Sequence, residues 1–236
     1  MALILSIETG TDVCSVALAN DGELMALRES DEGRDHAKKV AIFVDELLKE
    51  TGVQPSDLDA IAVGKGPGSY TGLRIGVSFA KGMCYALNIP LIAVGSLDAL
   101  TEVAREDFEA GILDIEDADW VSAHLTPMVD ARRMEVYTQI FDTHGIAKTD
   151  VSAEVITAES FADWRTNGKL VIFGNGAQKC CELLPDAIYV SVTPSARGIV
   201  TLAEQAFNNS QFEDIAYFEP FYLKDFIVIP SKKKLL

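Results

Sequence analysis

Apolar residues recur along this chain in two periods, and the change from one to the other marks its elements. Three short runs, residues 2–7, 13–19 and 23–28, have the apolar and β-branched character of strands. Thr9-Gly10-Thr11-Asp12 and Asn20-Asp21-Gly22 separate them, both rich in residues suited to tight turns, so they predict an antiparallel meander. From Asp35, placed to cap a helix, Val40, Phe43, Val44, Leu47 and Leu48 follow the i, i+3, i+4, i+7, i+8 spacing of one apolar helix face, and Gly52 provides the stop. A buried strand over residues 60–63 follows, then a glycine-rich turn, then a helix over residues 72–88. The polar residues of that helix, Arg74, Ser78, Lys81 and Asn88, form only a narrow stripe. Such a helix needs cover on more than one side. Gly72, Gly76 and Ala80, four apart, would let another backbone come close.

Beyond a strand at 91–94 and a helix at 96–104, the same alternation begins again. Strands are predicted from residue 127, through a turn at 131–133, and at 170–173 and 188–192; helices are predicted at 160–166, 178–184 and 195–207. Strand meander, helix, strand, helix, strand, then a second such succession, predicts an internal duplication of α/β type. The division falls into an N-terminal lobe, residues 1–102, and a smaller C-terminal lobe, residues 103–236, whose final segment packs its aromatics back on the first.

The junction VGKGPGSYTGLRIG, residues 63–76, carries the clearest candidate chemistry. Strand, glycine loop and helix N-terminus together suit an anion, because unpaired N–H groups and the positive end of the helix dipole converge there. It matches neither the Walker A pattern nor G-x-G-x-x-G. A tight strand-to-helix turn explains it equally well. The phosphate-loop reading names Gly66, Gly68 and Ser69, joined by Glu8 and Thr9 of the first turn, which could face a nucleotide; a plain hairpin turn accounts for those two as well.

Charge and composition narrow the classes. Acidic residues outnumber basic ones 36 to 20, a net charge of −16 that repels nucleic-acid backbones and leaves their capture to another subunit. The eight carboxylates between residues 102 and 119 are read as a solvated helix end and loop. Cys14, Cys84, Cys180 and Cys181 lack the spacing of a zinc site or disulfide framework and are read as reduced structural residues. His36, His124 and His144 lack metal-ligand spacing and are read as surface or capping residues. No apolar run approaches the ~20 residues needed to cross a bilayer, and residues 2–7 are too short for a signal sequence. A cytoplasmic protein is expected.

ILSIETGTDVCSVAL, IAVGKGPGSYTGLRIGVSFAKGMCYAL followed by PLIAVGSLDAL, then PMVDARRMEVY and a late PFYLKDF, resemble the bacterial TsaB family. The resemblance implies a two-lobed actin-like ATPase fold of the ASKHA, ribonuclease H-like kind. It further implies a non-catalytic scaffold and activator in the machinery that places threonylcarbamoyl on the anticodon-adjacent adenosine of tRNAs reading codons that start with A. The implied partners are a TsaD-like catalytic subunit, a TsaE-like ATPase, a second copy when alone, and tRNA only through the complex. Where TsaD carries an H-x-x-x-H metal motif, this chain has Ser96-Leu97-Asp98-Ala99-Leu100. No catalytic residue, metal or required cofactor is then expected, with room left for weak ATP or ADP binding. The resemblance places the partner interface on the helices at 35–51 and 72–88, at Val40, Phe43, Val44, Leu47, Leu73, Gly76, Val77, Ala80 and Met83. Gly76→Arg or Val77→Glu is expected to break pairing and leave the monomer folded. The alternative from the loop alone is an ATP-dependent phosphotransferase or nucleotide-binding protein of the same fold.

Overall fold

A computed structural model describes residues 2–32 and 35–224. Lys232 to Lys234, which the sequence suggests are solvated, lie outside the described residues. The chain forms β1 (Leu3–Glu8), β2 (Cys14–Asn20), β3 (Glu23–Ser30), α1 (His36–Thr51), β4 (Ala60–Gly64), α2 (Tyr70–Leu87), β5 (Leu91–Val94) and α3 (Ser96–Glu109). It continues with α4 (Asp117–Val121), β6 (Ala123–Asp130), β7 (Glu135–Thr138), β8 (Ser152–Val155), α5 (Ala162–Asn167), β9 (Lys169–Phe173), β10 (Ile188–Tyr189) and α6 (Arg197–Asn208).

Two five-stranded sheets result, ordered β3-β2-β1-β4-β5 and β10-β9-β6-β7-β8. β1 pairs antiparallel with β2 and parallel with β4; β6 does the same with β7 and β9. Read from β8, the second sheet repeats the order of the first, so the duplication expected from the pattern is real.

The first sheet is covered on both faces: β1 and β4 are buried along almost their whole length, and their apolar side chains alternate sides. Leu5, Ile7, Ile61 and Val63 pack with Val40, Val44 and Leu47 of α1 and Val77, Ala80 and Cys84 of α2. Ala2, Ile4, Ala60 and Ala62 face the other way, toward Ile199 and Ala203 of α6. Thus a helix from the far end of the chain completes the first sheet. Between the sheets lies α3: Ala99 joins the α6 cluster, whereas Leu97, Leu100 and Val103 join Leu125, Val171 and Phe173 of the second sheet.

Several local expectations are corrected. α3 runs to Glu109, and its acidic end is not merely solvated: Arg197 of α6 donates to Glu106 and to Asp107, each at 2.6 Å, and Asp107 is buried. The helix expected at 178–184 is a single 3-10 turn, Gln178–Cys180, and the strand at 188–192 pairs only as β10. Asp35 precedes α1 but caps it through its carbonyl, not its side chain. His36 is buried, its Nε2–H donating to the Thr11 carbonyl at 2.8 Å, so only His144 of the three histidines is exposed.

Gly198 is where α6 meets α3: a Cβ there would overlap the Ala99 carbonyl oxygen and sit 2.7 Å from Val103 Cγ2. Helix propensity alone favours Ala over Gly by ~1 kcal/mol, but overpacking against backbone costs ~1–3 kcal/mol or more. Gly198→Ala should therefore lower the urea midpoint despite the better helix former; an unchanged or higher midpoint would show that α3 and α6 can separate without cost.

Candidate functional site

The turn after β1 and the loop before α2 are pressed together. The Ser69 N–H donates to the Gly10 carbonyl at 2.6 Å, and the Thr9 hydroxyl donates to the Gly72 carbonyl at 2.8 Å. Glycine at 68 and 72 makes this approach possible, since a Cβ at either position would overlap the Gly10 or Thr9 carbonyl oxygen. Ser69 also caps α2, its hydroxyl accepting the Gly72 N–H at 3.3 Å.

Glu8 lies beneath the turn, 2% exposed. Its Oε1 accepts the Gly10 N–H at 2.6 Å and its Oε2 the Ser96 hydroxyl at 2.9 Å. The Ser96 N–H in turn donates to the Gly66 carbonyl at 3.0 Å. Burial pushes the Glu8 carboxyl above the usual range, opposed by the bonds from Gly10, Ser96 and the Thr9 backbone. All five predicted phosphate-loop residues, Glu8, Thr9, Gly66, Gly68 and Ser69, are therefore brought together, but their polar groups bond to one another. The Ser69 amide of the anion cradle already holds a carbonyl. Among the described residues no group of three or more His, Cys, Asp or Glu is arranged to hold a metal ion. Ser96 closes the network, a role with no signal in a single sequence because Glu8 lies 88 positions away.

Between the lobes a cleft of about 530 Å³ opens beside these turns. Its walls are the Gly10–Asp12 turn and residues 68–71, then the β6–β7 turn with Tyr137 and Asn175, and the C-terminal stretch Phe221 to Lys224. That stretch is anchored on both sides. The Phe221 N–H donates to the Lys65 carbonyl at 2.7 Å and Tyr222 packs on Tyr70 with ring centroids 4.9 Å apart, while Lys224 pairs with Glu135.

The expected interface residues sit otherwise than predicted. Val40, Val44, Leu47, Leu73, Gly76, Val77 and Ala80 are buried within this chain, and only Phe43 and Met83 are partly accessible. What approaches Gly72 and Gly76 is the chain's own turn, the Thr9 carbonyl at Gly72 and the Thr9 side chain at Gly76, where a Cβ would overlap the hydroxyl. Gly76→Arg, and Val77→Glu at a core position 4% exposed, would thus disturb the monomer itself, correcting the expectation that they would not. The apolar breadth of α2 is taken up by β4, by α1 and by the C-terminal segment, where Lys81 holds the Phe218 carbonyl at 2.9 Å. Facing outward on α2 are Tyr70, Arg74, Ser78, Gly82 and Tyr85, the last 83% exposed. A groove of about 740 Å³ runs beside them between Tyr85, Asn88 and Pro90 and the segment Ile215-Ala216.

Comparison with known proteins places these features. The profile described as "TsaD: tRNA N6-adenosine threonylcarbamoyltransferase" matches residues 30–224. The chain is similar to the "tRNA threonylcarbamoyladenosine biosynthesis protein TsaB" of Escherichia coli, 29% identical over 98% of this chain and 99% of that protein. The protein of the same name in Haemophilus influenzae is 26% identical, covering 94% and 93%. Among solved structures, YeaZ from Pseudomonas aeruginosa superposes with a TM-score of 0.77 at 29% identity, over 94% of this chain and all of that one.

The raised pKa of Glu8 sets a pH signature. A carboxyl whose pKa is higher folded than unfolded stabilises the fold fully below its ordinary value, and that contribution is lost as pH rises through the folded value. Glu8→Gln keeps an acceptor for Gly10 and a partner for Ser96 without charge. Urea midpoints of wild type and Glu8→Gln should diverge in favour of the variant between pH 4.5 and pH 8; parallel curves would mean that Glu8 titrates normally.

Proposed function

The chain belongs to the TsaD family, the tRNA N6-adenosine threonylcarbamoyltransferases, and on that premise we propose that it serves tRNA threonylcarbamoyladenosine biosynthesis as a TsaB-type scaffold. In this reading it activates a TsaD-like catalytic subunit and performs no transfer itself. The observation that carries it is the closed network of Glu8, Gly10, Ser69 and Ser96: the groups that would meet a phosphate are satisfied by their own chain. Where the catalytic relatives are expected to have the first metal-binding histidine, Ser96 donates to Glu8, and the position of the second, Leu100, is 1% exposed core. The acidic body, net −16, fits a subunit that reaches tRNA only within a larger assembly, with a TsaE-like ATPase as a further member. Phosphotransfer by this chain finds no support in a cradle so filled.

Pairing belongs on the outer side of α1 and α2, where Ile42 is 40% and Tyr85 83% exposed, rather than on their buried stripe. In isolation the same face would serve a second copy. Apolar burial there contributes ~25 cal/mol per Å², less ordering costs.

Two measurements test this. With tRNA and an activated threonylcarbamoyl donor, this chain alone should give no modified adenosine and should raise the rate of a TsaD-like subunit at least tenfold; transfer by this chain alone, or no effect on the partner, would sink the reading. Gly82→Arg should abolish co-purification with that subunit yet leave the melting temperature at or above wild type, since a Cβ at Gly82 meets nothing within 4 Å and Gly is the poorer helix former by ~1 kcal/mol. Persistent pairing would move the interface elsewhere.

A further inference from the structure

Of the six asparagines in the chain, Asn167 and Asn175 alone precede glycine, and they lie on either side of β9. Asparagine is a chemically labile residue, most of all in this setting, because glycine puts no side chain in the way when its own nitrogen attacks the amide carbon. The fold treats the two sites differently. At Asn175 the attacking group is held: the Gly176 N–H donates to the Met128 carbonyl at 2.8 Å, and Asn175 Oδ1 accepts the Asp130 N–H at 3.0 Å, so ring closure would break both bonds. Gly176 is also wedged against β6, where a Cβ would lie 2.9 Å from the Asp130 nitrogen and 3.0 Å from the Met128 carbonyl oxygen.

Asn167 is the exposed last residue of α5, and its side chain makes one bond, Nδ2 donating to the Asp163 carbonyl of the same helix at 2.8 Å. The Gly168 N–H makes no hydrogen bond among the described residues. α5 has six residues, none of them buried, and helix ends of this kind open at little cost. A hollow of about 300 Å³ lined by Ser122, Arg165, Gly168, Lys169 and Asp186 admits water to the junction. Its two cations and one carboxylate leave a net positive charge, which favours loss of the Gly168 amide proton. Packing nevertheless demands the glycine: a Cβ at 168 would lie 2.5 Å from the Ser122 carbonyl oxygen and 2.7 Å from His124 Nε2.

We propose that Asn167-Gly168 is a site of spontaneous deamidation in the folded protein, whereas Asn175-Gly176, equally labile by sequence, is protected by the fold. The Gly168 nitrogen gives up its proton and bonds to Asn167 Cγ; the Cγ–Nδ2 bond breaks, and Nδ2 takes up a proton and leaves as ammonia. Water then opens the resulting succinimide at either carbonyl, leaving aspartate or isoaspartate, and water is the only reagent consumed. Both products place a negative charge at the C-terminal end of α5, where the helix dipole opposes it, and both deprive the Asp163 carbonyl of its donor. Isoaspartate also adds a methylene to the backbone just ahead of Gly168, where the chain packs on Ser122. The modification therefore loosens α5 from the second sheet.

Timed incubation of the full chain in mildly alkaline buffer, native and in urea, followed by Lys-C digestion and mass spectrometry, tests this. Cleavage after Lys148, Lys169 and Lys179 separates residues 149–169, which hold Asn167, from residues 170–179, which hold Asn175. In the native protein the first peptide should gain one mass unit at least tenfold faster than the second, and in urea the two rates should converge. Equal native rates, a faster second peptide, or a first peptide that reacts only in urea would each overturn the proposal. Asn167→Asp, which installs one product directly, should lower the urea midpoint; a midpoint at or above wild type would overturn the loosening of α5.

Discussion

A carboxyl group that is 2% exposed must be hydrogen-bonded at both oxygens or carry a proton, and the arrangement of the first lobe follows from that demand on Glu8. The Gly10 N–H serves one oxygen, which curls the turn after β1 tightly enough for the Gly10 carbonyl to take the Ser69 amide. The Ser96 hydroxyl serves the other, which fixes where α3 begins and ties the Gly66 carbonyl to the same point. Three segments distant in sequence are drawn to one carboxylate. A loop shaped like an anion cradle thereby becomes a structural junction, and α2 leaves it in a fixed direction.

The two sheets share one strand order, yet the helices around them have diverged. Where the first lobe has α1 and α2, of 16 and 18 residues, the second has α5, of six, and a single 3-10 turn. Its core relies instead on α3 and on residues outside regular structure, such as Val190 and Val192. The second lobe lines the cleft with its β6–β7 turn, Tyr137 and Asn175 rather than with helix faces.

The pattern of apolar residues made β1 to β5, α1 and α2 legible, because each is long enough for its period to declare itself and is bounded by turn residues or caps. It misled at 178–184, where eight residues lie between Gly176 and Pro185, too few for a helix to propagate. It misled again beyond Tyr189, because β9 turns away at Gly174 and leaves the later residues no strand to pair with. The candidate site was legible as a set of residues but not as a state: nothing in a single sequence reports that a glycine-loop amide is already occupied. Nor does periodicity distinguish a helix stripe buried by its own chain from one awaiting another, which is why Val40, Leu73 and Val77 were read as contact surface.

The place of α6 has a bearing on synthesis. Ile199 and Ala203 cover Ala60 and Ala62, so one face of a sheet completed by residue 94 stays bare until residue 208 has been made. A chain emerging from the ribosome at about 5–20 residues per second holds that surface open for roughly 6 to 23 seconds. That face carries Ile4, Ile92 and Val94 beside its alanines, so the nascent first lobe presents apolar surface until α6 arrives.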